Sequence, residues 1–208
     1  MVHSRNKTVY LVVLLCCVLA SCSKLKQWAY QGIDRDQWQQ PDKVIAALQI
    51  REGSEIADLG AGGGYFTFYL AKATGPQGKV YAVDIDKGTN ELIAERAKKD
   101  GINNVTTILA TANDPLLPKS GVDLIFTSNT YHHFDNRIVY FSNLRQYLKP
   151  GGRIVIIDFD RRAWLEGLLR HYTPSEFIKR EMEQAGYTLI KEPAFLDRQS
   201  FLIFAAKP

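Results

Sequence analysis

From Pro41 onward the chain alternates short apolar runs with longer amphipathic ones, and that alternation leaves few folds open to it. Residues 55–59, 79–84, 105–110, 122–128 and 153–159 read as strands. Between them lie helix-like segments: one opened by Pro41 and carrying Val44, Ile45, Leu48 and Ile50, one over 65–73 stopped by Gly75-Pro76, one over 90–100 ended by Gly101, and one over 135–148. Strands that are apolar on both faces and separated by helices bury those faces only as a parallel sheet with helices on each side. The crossovers are expected to be right-handed. Further on, Thr173 is expected to cap a helix with Pro174 in its first turn and Glu176 closing a capping box. Ala185-Gly186 ends that helix, and 187–191 and 200–206 read as two closing strands. At 208 residues the chain is one domain with a tail, long enough to bury a core.

The first strand runs into Ile56-Ala57-Asp58-Leu59-Gly60-Ala61-Gly62-Gly63-Gly64-Tyr65 and then into a helix. Glycines in this place let the backbone take positive φ and let a ligand approach with no Cβ in the way. The N–H groups that open the helix favour an anion. A dinucleotide fingerprint needs a third small residue where Tyr65 stands, which counts against a nicotinamide-dependent oxidoreductase. The pattern that fits is D-x-G-x-G-x-G, from Asp58, Gly60, Gly62 and Gly64. Asp84 ends the second strand twenty residues after Gly64, where a carboxylate can accept hydrogen bonds from a pair of hydroxyls.

This ordered set resembles the class I S-adenosylmethionine-dependent methyltransferases, as do Val122-Asp123-Leu124-Ile125-Phe126 and Leu148-Lys149-Pro150-Gly151-Gly152. The resemblance covers 41–207, nearly all of the chain beyond its amino-terminal tail. It implies an α/β fold: a Rossmann-like, doubly wound seven-stranded sheet, mostly parallel with one antiparallel strand near the C-terminus. It implies S-adenosyl-L-methionine as cofactor and a small-molecule substrate. Asp84 would take both ribose hydroxyls, with Asp86 a solvated acid at the start of a helix. Asn113 stands where the family carries an acid for the adenine amino group, with Asp114 as the alternative. Asp58 would orient the glycine loop and reach the amino group of the methionine part, and Asn129 would contact cofactor and substrate. Substrate choice then falls to 128–134 and 158–162, at the carboxyl ends of strands four and five. There Tyr131, His132 and His133 offer a general base, with packing or capping as the plainer reading for the histidines. A metal set of His132, His133, Asp158 and His171 has no recognised spacing, and no metal is expected. Arg161-Arg162 suits an acidic substrate or a solvated loop, and Trp38 and Tyr65 could flank the pocket.

The amino-terminal 22 residues have a different character. Met1 to Lys7 holds two bases and no acid, and the thirteen residues 8–20 are uncharged, a length short of the roughly 20 a membrane span requires. Leu19-Ala20-Ser21-Cys22 then resembles the lipobox of bacterial lipoproteins. The expected organisation is a signal peptide at 1–21, a lipidated tether and extension at 22–40, and the methyltransferase-like domain at 41–208. Cys22 would carry the lipid and hold the protein to a membrane of the cell envelope, the outer one in a Gram-negative cell because Ser23 replaces the retaining aspartate. Residues 35–40 are expected to fold back onto the domain. Cys16, Cys17 and Cys22 are the only cysteines, which excludes a disulfide framework or a thiolate zinc site from the folded part. The 26 basic and 22 acidic residues give +4, about +2 without Arg5 and Lys7, with no basic stripe; nucleic acid is not an expected partner. Export sits awkwardly with a cytosolic methyl donor, so a non-catalytic small-ligand-binding protein of the envelope on the same scaffold is the alternative.

Overall fold

A computed structural model describes residues 34–163 and 172–207. The elements run α1 (Arg35–Gln39), α2 (Pro41–Leu48), β1 (Glu55–Leu59), α3 (Tyr65–Thr74), β2 (Lys79–Asp84), α4 (Lys87–Lys99), β3 (Val105–Leu109), β4 (Val122–Ser128), α5 (Arg137–Asn143), β5 (Leu148–Phe159), α6 (Ser175–Gln184), β6 (Tyr187–Lys191) and β7 (Gln199–Ala206). The strands form one sheet in the order β3-β2-β1-β4-β5-β7-β6. Only β7 is antiparallel to its neighbours, so the expected seven-stranded, mostly parallel sheet is what the chain builds. Its order reverses between β1 and β4, both of which carry loops at their carboxyl ends, and a crevice opens at such a reversal.

Alternation along the strands sends side chains into two separate cores. Ile154 and Ile156 of β5 face Tyr131, Phe141, Ile178 and Met182 on one side of the sheet. Val155 and Ile157 face Val44, Leu48, Phe66 and Leu70 on the other. Each fully buried side chain of this size contributes about 1.5–3 kcal/mol of transfer free energy, so both faces hold the sheet rigid beneath its loops.

Three local expectations need correction. The segment 135–148 is not one helix: a 3-10 turn at Tyr131–His133 leads into α5, a second 3-10 turn covers Leu144–Tyr147, and β5 begins at Leu148. Pro150 explains the early stop, because proline disfavours helical backbone at Lys149 before it. Thr173 does not cap α6. Pro174 takes the boundary in an extended conformation, its carbonyl receives the N–H groups of Phe177 and Ile178, and Glu176 pairs with Arg161 instead. Finally, α4 starts three residues early because the Asp86 carboxylate accepts the N–H groups of Gly88 and Thr89, an N-cap rather than a merely solvated acid.

Candidate functional site

The loop after β1 is shaped by its neighbours as much as by its own glycines. Gly60, Gly62 and Gly64 all have positive φ, at 70°, 54° and 76°. The N–H groups of Gly60 and Ala61 both reach the Val83 carbonyl at 2.8 and 3.1 Å. The Gly62 N–H donates to Asp84 Oδ2 at 2.9 Å, and the Asp86 N–H donates to Asp84 Oδ1 at 2.9 Å. Asp84 thus ties the loop after β1 to the loop after β2. A Cβ on Gly60 would overlap Thr130, so the loop after β4 leans directly on the glycine loop. Asp58 is buried at the end of β1 and accepts from the Thr67 hydroxyl at 2.6 Å, which fixes the first turn of α3 against the strand. That helix begins at Gly64 with no side-chain cap on its N–H groups.

These residues match the chemistry of S-adenosylmethionine. Each Asp84 oxygen receives one backbone N–H and keeps a second lone pair for a ribose hydroxyl. The uncapped start of α3 suits a carboxylate. Ile85, directly after Asp84, is 67% exposed, and Leu109, in register beside Asp84 on β3, is 50% exposed. Apolar side chains so placed suit a flat base. Sequence reasoning passed over both, although an apolar residue between two acids is a legible signal. Asn113 lies exposed on the turn that closes through the Thr111–Asp114 bridge. The Asp114 carboxylate is engaged by the Leu116 N–H at 2.8 Å and the Tyr147 hydroxyl at 2.7 Å. Burial, then this hydrogen bond, push the Tyr147 phenol up to about 12.

The ends of β4 and β5 carry the other half of the site. Asn129 has a left-handed backbone at φ 56°; its N–H bonds the Ile157 carbonyl, and its side-chain oxygen accepts from Gln199 Nε2 at 2.5 Å. Tyr131 is not at the mouth, contrary to expectation. It is fully buried in the core and donates to Glu181 Oε2 at 2.7 Å, and burial first, then that hydrogen bond, raise its phenol well above the ordinary range. His132 Nδ1 lies 2.9 Å from Asp158 Oδ1, with 8% of the histidine side chain and none of the aspartate exposed. Burial holds the Asp158 carboxyl above the ordinary aspartate range, against the pull of His132 and nearby backbone N–H groups. His133 is exposed, its ring 4.1 Å from that of His132.

Trp38 stacks on Phe159 at 5.6 Å, Gln39 donates to Ser128 Oγ at 3.0 Å and the Tyr65 hydroxyl donates to Asp36 at 2.6 Å, so residues 36–39 do pack over the carboxyl edge of the sheet. Gln39 and Gln199 are fully buried polar residues that the sequence offered no periodic signal to find. Arg161 pairs with Glu176, and Arg162 donates to the Leu196 and Gln199 carbonyls. Among the described residues no three potential ligands cluster for a metal ion, and His171 lies outside them.

A family model described as a methyltransferase domain matches residues 50–192. A ubiquinone/menaquinone biosynthesis C-methyltransferase of Burkholderia multivorans is 30% identical over 179 residues, spanning 71% of this chain and 73% of its own. An S-adenosylmethionine-dependent methyltransferase structure from Aquifex aeolicus has a TM-score of 0.79 at 25% identity and covers 89% of this chain and 96% of that one. The CcbJ methyltransferase of Streptomyces caelestis shares the fold, with a TM-score of 0.70 at 15% identity over 86% and 92% of the two chains.

Proposed function

The chain belongs to the class I S-adenosylmethionine-dependent methyltransferases, and on that premise we propose that it methylates a small molecule at the carboxyl edge of β1, β4 and β5 while anchored by lipid on Cys22. The observation that carries the catalytic part is the joint between the glycine loop and Asp84. S-adenosylmethionine supplies a methyl group on a sulfonium, already activated for in-line attack. The work left to the protein is placement. In this reading Asp84 holds the ribose hydroxyls, the start of α3 meets the carboxylate, and Ile85 and Leu109 flank the base. Asp58 acts through Thr67, keeping the helix start where the carboxylate lies. Asn113 stands on the base side and Asn129 on the acceptor side, where His132 and His133 can take a proton.

A small-molecule acceptor is supported by the Burkholderia relatives, whose name places carbon methylation in quinone biosynthesis. The anchor rests on Leu19-Ala20-Ser21-Cys22 behind its uncharged run; residues 1–33 lie outside the described part of the structure. Among the described residues no helix is long and apolar enough to cross a membrane.

Calorimetric titration with S-adenosylmethionine tests the site. The protein binds it, and Asp84→Ala weakens binding by about 1–3 kcal/mol, roughly five- to 150-fold. Because Asp84 also receives the N–H groups of Gly62 and Asp86, the ligand-free melting temperature falls as well. Equal affinity in variant and wild type would remove Asp84 from the ribose.

A further inference from the structure

We propose that His132 is the proton acceptor of the methyl transfer, that Asp158 is a positioning residue that sets its tautomer, and that the substrate is accordingly a protic one. Its reacting atom carries a hydrogen that leaves as the methyl arrives, as in a hydroxyl, or a ring carbon beside a phenol. This deepens the methyltransferase reading and rests on it.

Asp158 is the central observation. Its side chain is wholly buried near the end of β5, and a buried carboxylate is strongly destabilising unless paired. Among the described residues its side-chain partner is His132, 26 residues earlier, at 2.9 Å. In this proposal the Asp158 carboxylate accepts from Nδ1–H, which fixes the neutral imidazole with its lone pair on Nε2. When Nε2 takes up a proton, the cation forms next to the Asp158 carboxyl group.

The second observation is that the pair is not a closed structural joint. Among the described residues Asp158 Oδ2 is buried with no hydrogen-bond partner, and so is Thr127 Oγ1. Thr127 is in register with Ile156, and strand alternation puts Thr127 and Asp158 on the same face of the sheet. Such atoms destabilise the fold, and buried groups left this way call for an explanation other than packing.

Position supplies the third. His132 belongs to the 3-10 turn that follows Thr130, and Thr130 is the residue pressed against Gly60 of the donor loop. The proton acceptor therefore stands two residues from the wall of the donor site. His133 belongs to the same turn but lies exposed, and the carboxylate is on His132.

The balance is complete without a further reactant. The methyl carbon leaves sulfur, which keeps the bonding pair and becomes a neutral thioether. The substrate atom forms the new bond to carbon, its bond to hydrogen breaks, and the proton goes to His132 Nε2 and then to solvent. An acceptor that loses no proton, such as a thioether or a tertiary amine, would have no use for this base.

Nitrogen-15 NMR of the histidine rings tests the pair in the whole protein, beside calorimetry with S-adenosylmethionine and transfer of labelled methyl from it into a small-molecule cell extract. Neutral His132 is expected as the Nδ1–H tautomer, lost in Asp158→Asn. His132→Gln and Asp158→Asn keep donor affinity within twofold, while transfer falls at least about a hundredfold in His132→Gln and about tenfold or more in Asp158→Asn. His133→Gln loses less transfer than His132→Gln. A wild-type His132 protonated on Nε2, undiminished transfer in His132→Gln, or a labelled product that is a sulfonium or quaternary ammonium would each overturn the proposal. Loss of donor binding by the wild type would strike at the methyltransferase reading itself, and the tautomer would still decide the pair.

Discussion

Gly60 shows how one residue can join two loops and a strand. Its φ of 70° is unfavourable for any side chain, and a Cβ there would overlap Thr130. Gly60→Ala is expected to destabilise by about 2–4 kcal/mol, strain and overlap together. Adding Thr130→Ala recovers part of that, since Cγ2 and Oγ1 are the atoms met first. Gly151→Ala is the control: φ is 77° but no atom lies within 4 Å of the new carbon, so strain alone, about 1 kcal/mol, remains. Thermal melts of the four proteins check this; equal losses at 60 and 151 would deny the contact with Thr130. The glycines and Asp84 were legible because their constraints are local, a positive φ or an acid at a strand end. The role of Tyr131 was not, because nothing beside it in the chain says that its hydroxyl finds Glu181, fifty residues on.

Between elements, α5 and α6 are held by a three-way contact. Arg137 donates two hydrogen bonds to Glu181 at 2.8 Å, and Tyr131 adds a third at 2.7 Å. Burial pulls the Glu181 carboxyl upward, but the hydrogen bonds from Arg137 and Tyr131 outweigh it and hold it below the ordinary glutamate range. A carboxyl depressed in the folded state stabilises fully above its unfolded value, near 4.3, and loses that contribution as pH falls through its lower folded value. Glu181→Gln is therefore expected to destabilise by about 1–3 kcal/mol at neutral pH, with the gap to wild type closing in acid. Denaturant melts across pH would show it, and a gap independent of pH would count against the ionised contact. Element order and type were readable from period and punctuation, as in β1, β2, β4 and β6. Boundaries failed where two local signals competed, Pro174 against Thr173 for the start of α6.

At the scale of the whole molecule, the reversal of strand order between β1 and β4 sets the Asp84 side of the crevice beside the His132 side. Trp38 and Gln39 lie over the same edge of the sheet. Cys22→Ala is expected to move the protein from the membrane to the soluble fraction and to abolish incorporation of labelled fatty acid. Unchanged partition would end the lipoprotein reading and leave the donor site as it stands.

The sequence by itself determined the layered α/β architecture, the run of strands and helices, and the glycine loop with Asp84 at the next strand end. Period, glycine punctuation and strand-end acids act over a few residues, so they can be read along the chain. Only the tertiary structure decided that His132 rather than Tyr131 meets a buried carboxylate, that Thr130 closes on Gly60, and that Gln199 reaches Asn129 from seventy residues away. Those pairings depend on which strands become neighbours and in what register. Burial of the sheet's two faces settles both collectively, and no short stretch of chain contains that information.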